Sequence, residues 1–161
     1  MSYRIGQGFD IHRSVPGDRI KLAGVEIPAP FSLDAHSDGD VVLHALTDAI
    51  LGALGEKDIG FYFPPTPENK GRSSQDFVLF ARRKVEERGY FIVNLDCNIL
   101  CEEPKIQPWR DKLIESLSRL LEITTDRIAV KGRSLEGLGS LGQKKGIAAM
   151  VVVLLQEKQY D

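Results

Sequence analysis

The sequence predicts an α+β fold, a single mixed sheet with helices packed on one face, and three observations carry that reading. The N-terminal third is strand-like and gives way near Asp40 to helical periodicity. A cleanly alternating segment at 91–100 lies between two amphipathic helical segments. The run from Ile147 to Leu155 is almost wholly apolar and β-branched in its middle. A length of 161 residues fits one domain, residues 1–161, and suffices to bury a core without disulfides or structural metals. No repeat, low-complexity tract or linker divides it.

The elements follow in order. Arg4 to His12 reads as a strand, and Lys21 to Ala23 and Val25 to Ile27 flank Gly24, with Pro28 and Pro30 ending the run. From Asp40, the apolar residues Val42, Leu43, Leu46, Ala49, Ile50 and Leu54 form a broad helical stripe, with Asp38 or Asp40 as the N-cap. His44 and Asp48 then share a face, one turn apart. Residues 58–72 hold Gly60, Pro64, Pro65, Pro67 and Gly71 with little periodicity and read as a long loop, which in a compact domain is usually functional. A helix runs from a Ser73 or Ser74 cap to Arg88, with Phe77, Phe80, Ala81 and Val85 inward and Gly89 as its stop. Between Phe91 and Leu100, Val93, Leu95, Cys97 and Ile99 face one way and Asn94, Asp96 and Asn98 the other, as in a half-buried strand. Pro108 suits the first turn of a third helix that carries Trp109, Leu113, Leu117 and Leu120 toward the core. Ile128 and Val130 lie on a strand closed by Gly132. The Ile147 to Leu155 strand needs cover on both faces, from helices or from another subunit.

Composition narrows the function. A net charge of −2, with Arg82-Arg83-Lys84 followed at once by Glu86-Glu87, describes solvated surface and argues for no nucleic-acid or membrane partner. Cys97 and Cys101 lie four apart in a strand-like run, roughly 13 Å between Cα atoms, beyond disulfide reach. Both are expected as free thiols, and no C-x-x-C pair suggests a thiolate metal site. Without an apolar leader, transit peptide or long apolar span, the expected location is the cytoplasm; a processed plastid form has the same appearance.

The histidines are the most informative residues. The chain has 3, His12, His36 and His44, and two of them fall in the carboxylate-rich stretch from His36 to Asp48. In Asp10-Ile11-His12 the period of a strand puts Asp10 and His12 on one face, and a helical His44 can close a three-ligand site. Two imidazoles and one carboxylate suit zinc with an open fourth position, the pattern of a catalytic site. Spacing alone does not separate this from a surface or capping His–Asp pair.

The segments GFDIH at 8–12, AHSDGDVVLHALTDAILGALGEKDIG at 35–60, FPPT at 63–66, the KG-x-S-S segment at 70–74, EEPKI at 102–106 and EGLGSLGQKKGIAA at 136–149 occur in one order. In that order the chain closely resembles the 2-C-methyl-D-erythritol 2,4-cyclodiphosphate synthase family of the non-mevalonate isoprenoid pathway. The resemblance implies a homotrimer around a threefold axis, with active sites between neighbours. It implies a lyase reaction in which 4-diphosphocytidyl-2-C-methyl-D-erythritol 2-phosphate cyclises and CMP leaves. Zinc on Asp10, His12 and His44 is implied, as is a second ion, Mg2+ or Mn2+, held with the help of Glu136. His36 and Ser37 correspond to phosphate and methylerythritol contacts, and Asp58 and Gly60 to the diol-recognising positions. Phe63, Pro64, Pro65, Thr66 and Ser74 resemble a cover over the substrate. Cys101 to Gln107, especially Pro104 and Lys105, match the cytidine pocket. Arg133 and Ser134 align with two threonines common in the family; Ser134 keeps a hydroxyl for catalytic phosphate contact, whereas Arg133 brings a charge.

Departures cluster at 140–145. Ser140 and Gln143 replace an aromatic and an arginine that many relatives use around an axial cavity for isoprenoid diphosphates, so weak axial binding is expected unless Lys144 or Lys145 points inward. Two other readings compete. One is a zinc phosphohydrolase acting on a nucleotide diphosphate, against which stands the lack of an evident extra general base. The other is a non-catalytic trimeric module binding isoprenoid diphosphates, which the loss of the axial arginine weakens. A chain separated from a fused cytidylyltransferase is a third case, and no linker to one is evident.

Overall fold

In the computed structural model, which describes residues 2–159, the N-terminal alternation becomes a long strand, β1 (Tyr3–Val15). A small hairpin follows, β2 (Arg19–Leu22) and β3 (Val25–Pro28), and then the short β4 (Ser32–Leu33). Helix α1 (Val41–Ala53) precedes a one-turn helix α2 (Ile59–Tyr62), a 3-10 turn (Pro67–Asn69) and α3 (Ser74–Glu87). The chain continues through β5 (Tyr90–Leu100), a 3-10 turn (Gln107–Trp109), α4 (Arg110–Leu121) and β6 (Ile128–Arg133) to a one-turn helix α5 (Gly139–Gly142) and β7 (Gly146–Glu157). No helix among the described residues is long and apolar enough to cross a membrane.

The main sheet has five strands in the order β4-β1-β7-β5-β6. All neighbours are antiparallel except β5 and β6, which makes the sheet mixed. Helix α1 lies on β1 and β7, α3 on α1 and β5, and α4 on β6 and α3, all on one face. Leu43, Leu46, Ile50 and Leu51 of α1 are fully buried, each worth about 1.5–3 kcal/mol against exposure.

What lets α1 come so close is a pair of glycines on β1. A Cβ at Gly8 would lie 1.8 Å from the Ala45 carbonyl oxygen, and one at Gly6 1.9 Å from that of Ala49. Gly6, Gly8, Asp10 and His12 alternate on the same face, so the glycine track that seats the helix continues into the two candidate ligands. Asp40 anchors the start of α1. Its buried carboxylate accepts from Leu43 N–H (3.0 Å) as the N-cap, and from Ala23 N–H (2.9 Å) and Gly24 N–H (2.7 Å) in the left-handed turn joining β2 to β3.

Several expectations change in detail. The segment 58–72 is not featureless, because Asp58 caps α2 through Phe61 N–H (2.9 Å) and Asp48 accepts from Ile59 N–H (2.8 Å). In β5 a bulge between Ile92 and Asn94 turns Ile92 rather than Val93 into the core. In α4 it is Leu121, not Leu120, that is fully inward, alongside Leu113, Ile114 and Leu117. Strand β7 is covered on one face only, since Met150 and Val152 stay open, as do Ile5, Phe9 and Ile11 beside them on β1.

Replacing Gly8 with alanine must therefore lift α1 off the sheet. The Gly8→Ala variant is expected to lose about 1–3 kcal/mol or more in urea unfolding and to bind metal more weakly; unchanged stability and affinity would show that the helix does not rest on this strand.

Candidate metal centre

The seating of α1 brings His44 over the open end of β1. His12 Nε2, His44 Nδ1 and Asp10 Oδ2 lie 3.0 Å from one another in every pair. Tetrahedral ligands at the usual zinc bond lengths would be separated by about 3.3–3.4 Å, so a few tenths of an ångström of opening admits an ion. Among the described residues this is the one group of three such side chains whose ligand atoms converge. The two imidazoles meet edge to face, 78° between planes, and Phe77 packs against His44.

Hydrogen bonds behind His44 set its tautomer. Its Nε2 lies 2.9 Å from Ser37 Oγ and 2.8 Å from Ser74 Oγ. The Ser74 hydroxyl donates to Asp38, whose other oxygen accepts from Ser74 N–H (3.1 Å) and lies 3.7 Å from Lys21 Nζ. With its proton committed to Asp38, Ser74 accepts from His44 Nε2–H, which leaves the Nδ1 lone pair aimed at Asp10 and His12. Two ring nitrogens and a carboxylate oxygen turned inward on one another form a donor set that a divalent cation satisfies. Burial pushes the Asp10 carboxyl up, but the adjoining imidazoles of His12 and His44 outweigh it and bring its pKa down to about 2, so Asp10 is anionic at neutral pH. Burial, with the charges of Asp58 and Asp10, raises the pKa of Asp48, which sits one turn along α1 and braces α2.

The other predicted residues fall into separate places. His36 Nε2 meets the Thr66 carbonyl (2.7 Å), joining the 36–38 turn to the 63–66 segment. Phe63 stacks 4.4 Å from Phe77, and Asn69 Nδ2–H binds the Pro64 carbonyl (2.8 Å); Pro65 and Gly60 are exposed nearby. Ser74, which the resemblance puts in the cover, is fully buried, with its hydroxyl between His44 and Asp38. Cys101, Pro104, Lys105, Arg133 and Ser134 line one cavity of about 380 Å³ at the carboxyl ends of the parallel pair β5 and β6. Burial pushes the Cys101 thiol up to about 11, which makes it cavity wall and no thiolate. Glu136 is exposed, at φ 54°, and stands outside the three-residue cluster. Gln143 is exposed at the end of α5, and Lys144 is paired with Glu103 (2.7 Å).

The Asp38–Ser74 pair is absent from the sequence reading as a support for His44. Its signal is the helix-start serine, one residue past the Ser73 cap. Conservative loss of that support, Asp38→Asn, is expected to lower metal affinity by about 10–100-fold in a competition titration with a chromogenic chelator, with one ion per chain still bound at saturation. Unchanged affinity would separate Asp38 from the centre.

Comparison with known proteins agrees with this geometry. The YgbB family profile matches residues 3–156. The chain is 47% identical over 156 residues to the 2-C-methyl-D-erythritol 2,4-cyclodiphosphate synthase of Xylella fastidiosa, covering 96% of this chain and 89% of that one. It is 48% identical over 159 residues to a bifunctional enzyme IspD/IspF of Wolbachia sp. subsp. Brugia malayi, of whose length it spans 39%, against 95% of its own. Among solved structures, a CDP complex of IspF from Plasmodium falciparum superposes with a TM-score of 0.88 at 38% identity, with 98% of each chain covered. On a match that takes in every strand and helix carrying the site, this chain belongs to the YgbB family.

Proposed function

We propose that this chain converts 4-diphosphocytidyl-2-C-methyl-D-erythritol 2-phosphate to 2-C-methyl-D-erythritol 2,4-cyclodiphosphate and CMP. The observation that carries the reading is the 3.0 Å triangle of Asp10, His12 and His44 in a chain 47% identical to a cyclodiphosphate synthase. An oxygen of the 2-phosphate forms a bond to the β-phosphorus. The bond from that phosphorus to the bridging oxygen breaks, and CMP leaves with that oxygen. Both partners are anionic and no protein nucleophile is needed, so catalysis consists of alignment and charge screening.

Asp10, His12 and His44 would hold zinc, and Glu136 would help to hold Mg2+ or Mn2+ with the diphosphate. When bound, these ions supply Lewis-acid polarisation and neutralise phosphate charge. The rest is done by the chain. In this reading His36 and Ser37 meet phosphate and methylerythritol, and Asp58 and Gly60 take the diol. The segment from Phe63 to Thr66 flanks the substrate. The cavity of Cys101, Pro104 and Lys105 takes the cytidine, and the CDP held by the Plasmodium protein supports a nucleotide as the ligand. Arg133 offers a charge to the phosphates from the cavity rim, while Ser134 reaches one only by turning its hydroxyl away from Glu102.

Assembly belongs to the same proposal. Ile5 (71% exposed), Phe9, Ile11, Met150 and Val152 form a continuous apolar face on adjacent strands, which a homotrimer would cover. Light scattering on a sizing column is expected to give three times the chain mass, and Phe9→Asp is expected to dissociate it and abolish turnover. An active monomer would refute sites shared between subunits.

The direct assay incubates the protein with the cytidylylated substrate and a divalent ion. Equimolar CMP and cyclic diphosphate are expected; CMP with a linear product would indicate a hydrolase, and no product a binding module. Glu136→Gln is expected to keep its zinc and to lose most turnover, with extra Mg2+ restoring part. Loss of zinc would place Glu136 in the zinc coordination sphere instead.

A further inference from the structure

The loop after β6 is held in shape by one side chain from the loop after β5. Glu102 Oε1 accepts from Leu135 N–H (2.6 Å) and from Ser134 Oγ–H (3.0 Å), and its Oε2 lies 2.9 Å from the same hydroxyl. The Gly137 amide adds a smaller stabilisation of the ionised carboxyl. Ser134 Oγ in turn accepts from Glu136 N–H (3.0 Å). Apart from Leu138 N–H donating to the Leu135 carbonyl (2.8 Å), the polar contacts of this short turn run directly or through Ser134 to one carboxylate. The backbone needs such a hold, because Glu136 sits in the left-handed region at φ 54° between Ser134–Leu135 and a left-handed Gly137 at φ 73°. A residue other than glycine in that region is disfavoured by about 1 kcal/mol or more unless its surroundings impose it. The amide of Leu135 and the hydroxyl of Ser134 converge on the Glu102 carboxylate, which spans the turn from outside.

Position gives this contact a consequence. Glu102 lies beside Cys101, and Pro104 and Lys105 follow within the same loop, so the residue that shapes the 134–137 turn is carried by a wall of the 380 Å³ cavity. The neighbouring Glu103 adds a second tie to Lys144 on the approach to β7, but that pair is solvent-exposed and worth little. The hydrogen bonds of Leu135 and Ser134 hold the Glu102 carboxyl below its usual range, as befits an acceptor of both.

We propose that Glu102 is a positioning residue, which holds the Ser134–Gly137 turn so that the Glu136 carboxylate is presented to the second divalent ion beside the nucleotide cavity. The inference rests on the role given to Glu136 above. It separates geometry from charge. Aspartate keeps the charge but is one methylene too short to reach Leu135 N–H and Ser134 together, whereas glutamine keeps the reach and one acceptor oxygen.

The test is a Mn2+ titration of the zinc-loaded protein in the presence of CDP, followed by electron paramagnetic resonance and repeated with turnover as the readout. Amide exchange of the 133–139 segment is measured alongside. Glu102→Ala and Glu102→Asp are expected to raise the Mn2+ midpoint by about 10-fold or more and to unprotect Leu135 and Gly137, while Glu102→Gln stays within about threefold of the parent. Zinc content is expected to be unchanged in all three, as is CDP affinity measured without Mn2+, because Glu102 does not itself line the cavity. A Glu102→Ala variant with the parent's midpoint overturns the inference, as does a glutamine variant as impaired as the alanine one, or a loss of CDP affinity in the absence of Mn2+ that matches the loss of Mn2+. If the parent forms no cyclic product, the proposed reaction fails, while the Mn2+ midpoints still decide the role of Glu102.

Discussion

The contact on which the site depends is the seating of α1 on the two glycines of β1. At Gly6 and Gly8 the helix backbone lies where side chains would otherwise stand, with carbonyl oxygens inside the space of any Cβ. Only at that depth does His44, one turn into the helix, reach the plane of Asp10 and His12. Overpacking at such a site costs energy, but displacement costs more in function, because ligand atoms already 3.0 Å apart tolerate only tenths of an ångström. The helix itself is buried on nearly every side, and its polar interruptions at His44, Asp48 and Gly52 form a single stripe along the site.

Around this contact the chain arranges two kinds of support. Asp40 joins the start of α1 to the β2–β3 turn, so the helix is fixed at its end as well as along its length. Asp38, two residues earlier, turns the other way and reaches the start of α3 through Ser74, which sets the proton on His44. Neighbouring aspartates in one turn thus have different tasks: one stabilises the scaffold, the other orients a ligand. At the far end of the sheet Glu102 does for the 134–137 turn what Asp38 does for His44. In each case a carboxylate outside the proposed ligand set holds a group that belongs to it in this proposal.

Much of this was legible in the sequence, for identifiable reasons. Strand alternation put Asp10 and His12 on one face, and helical periodicity from Asp40 placed His44 and Asp48 together; both are local consequences of backbone geometry. The glycine track, two residues apart and in phase with Asp10, went unread, because glycine in a strand does not by itself name what packs against it. The bulge that turned Ile92 inward was not legible, because an extra residue in a strand leaves no mark on an apolar run. Nor were the contacts from Asp38 to Ser74 and from Glu102 to Leu135, which join residues more than thirty positions apart and exist only once the loops have met. The exposed face of β1 and β7 was legible as apolar, but the pattern did not say that the chain itself covers only one side of it.

The most direct measurement is anomalous diffraction at the zinc edge from crystals of the metal-loaded protein. The account predicts one peak per chain within bonding distance of Asp10 Oδ2, His12 Nε2 and His44 Nδ1, with the His44 Nε2–H still turned to Ser74. A peak bound through His44 Nε2, or one centred away from these three residues, would contradict it.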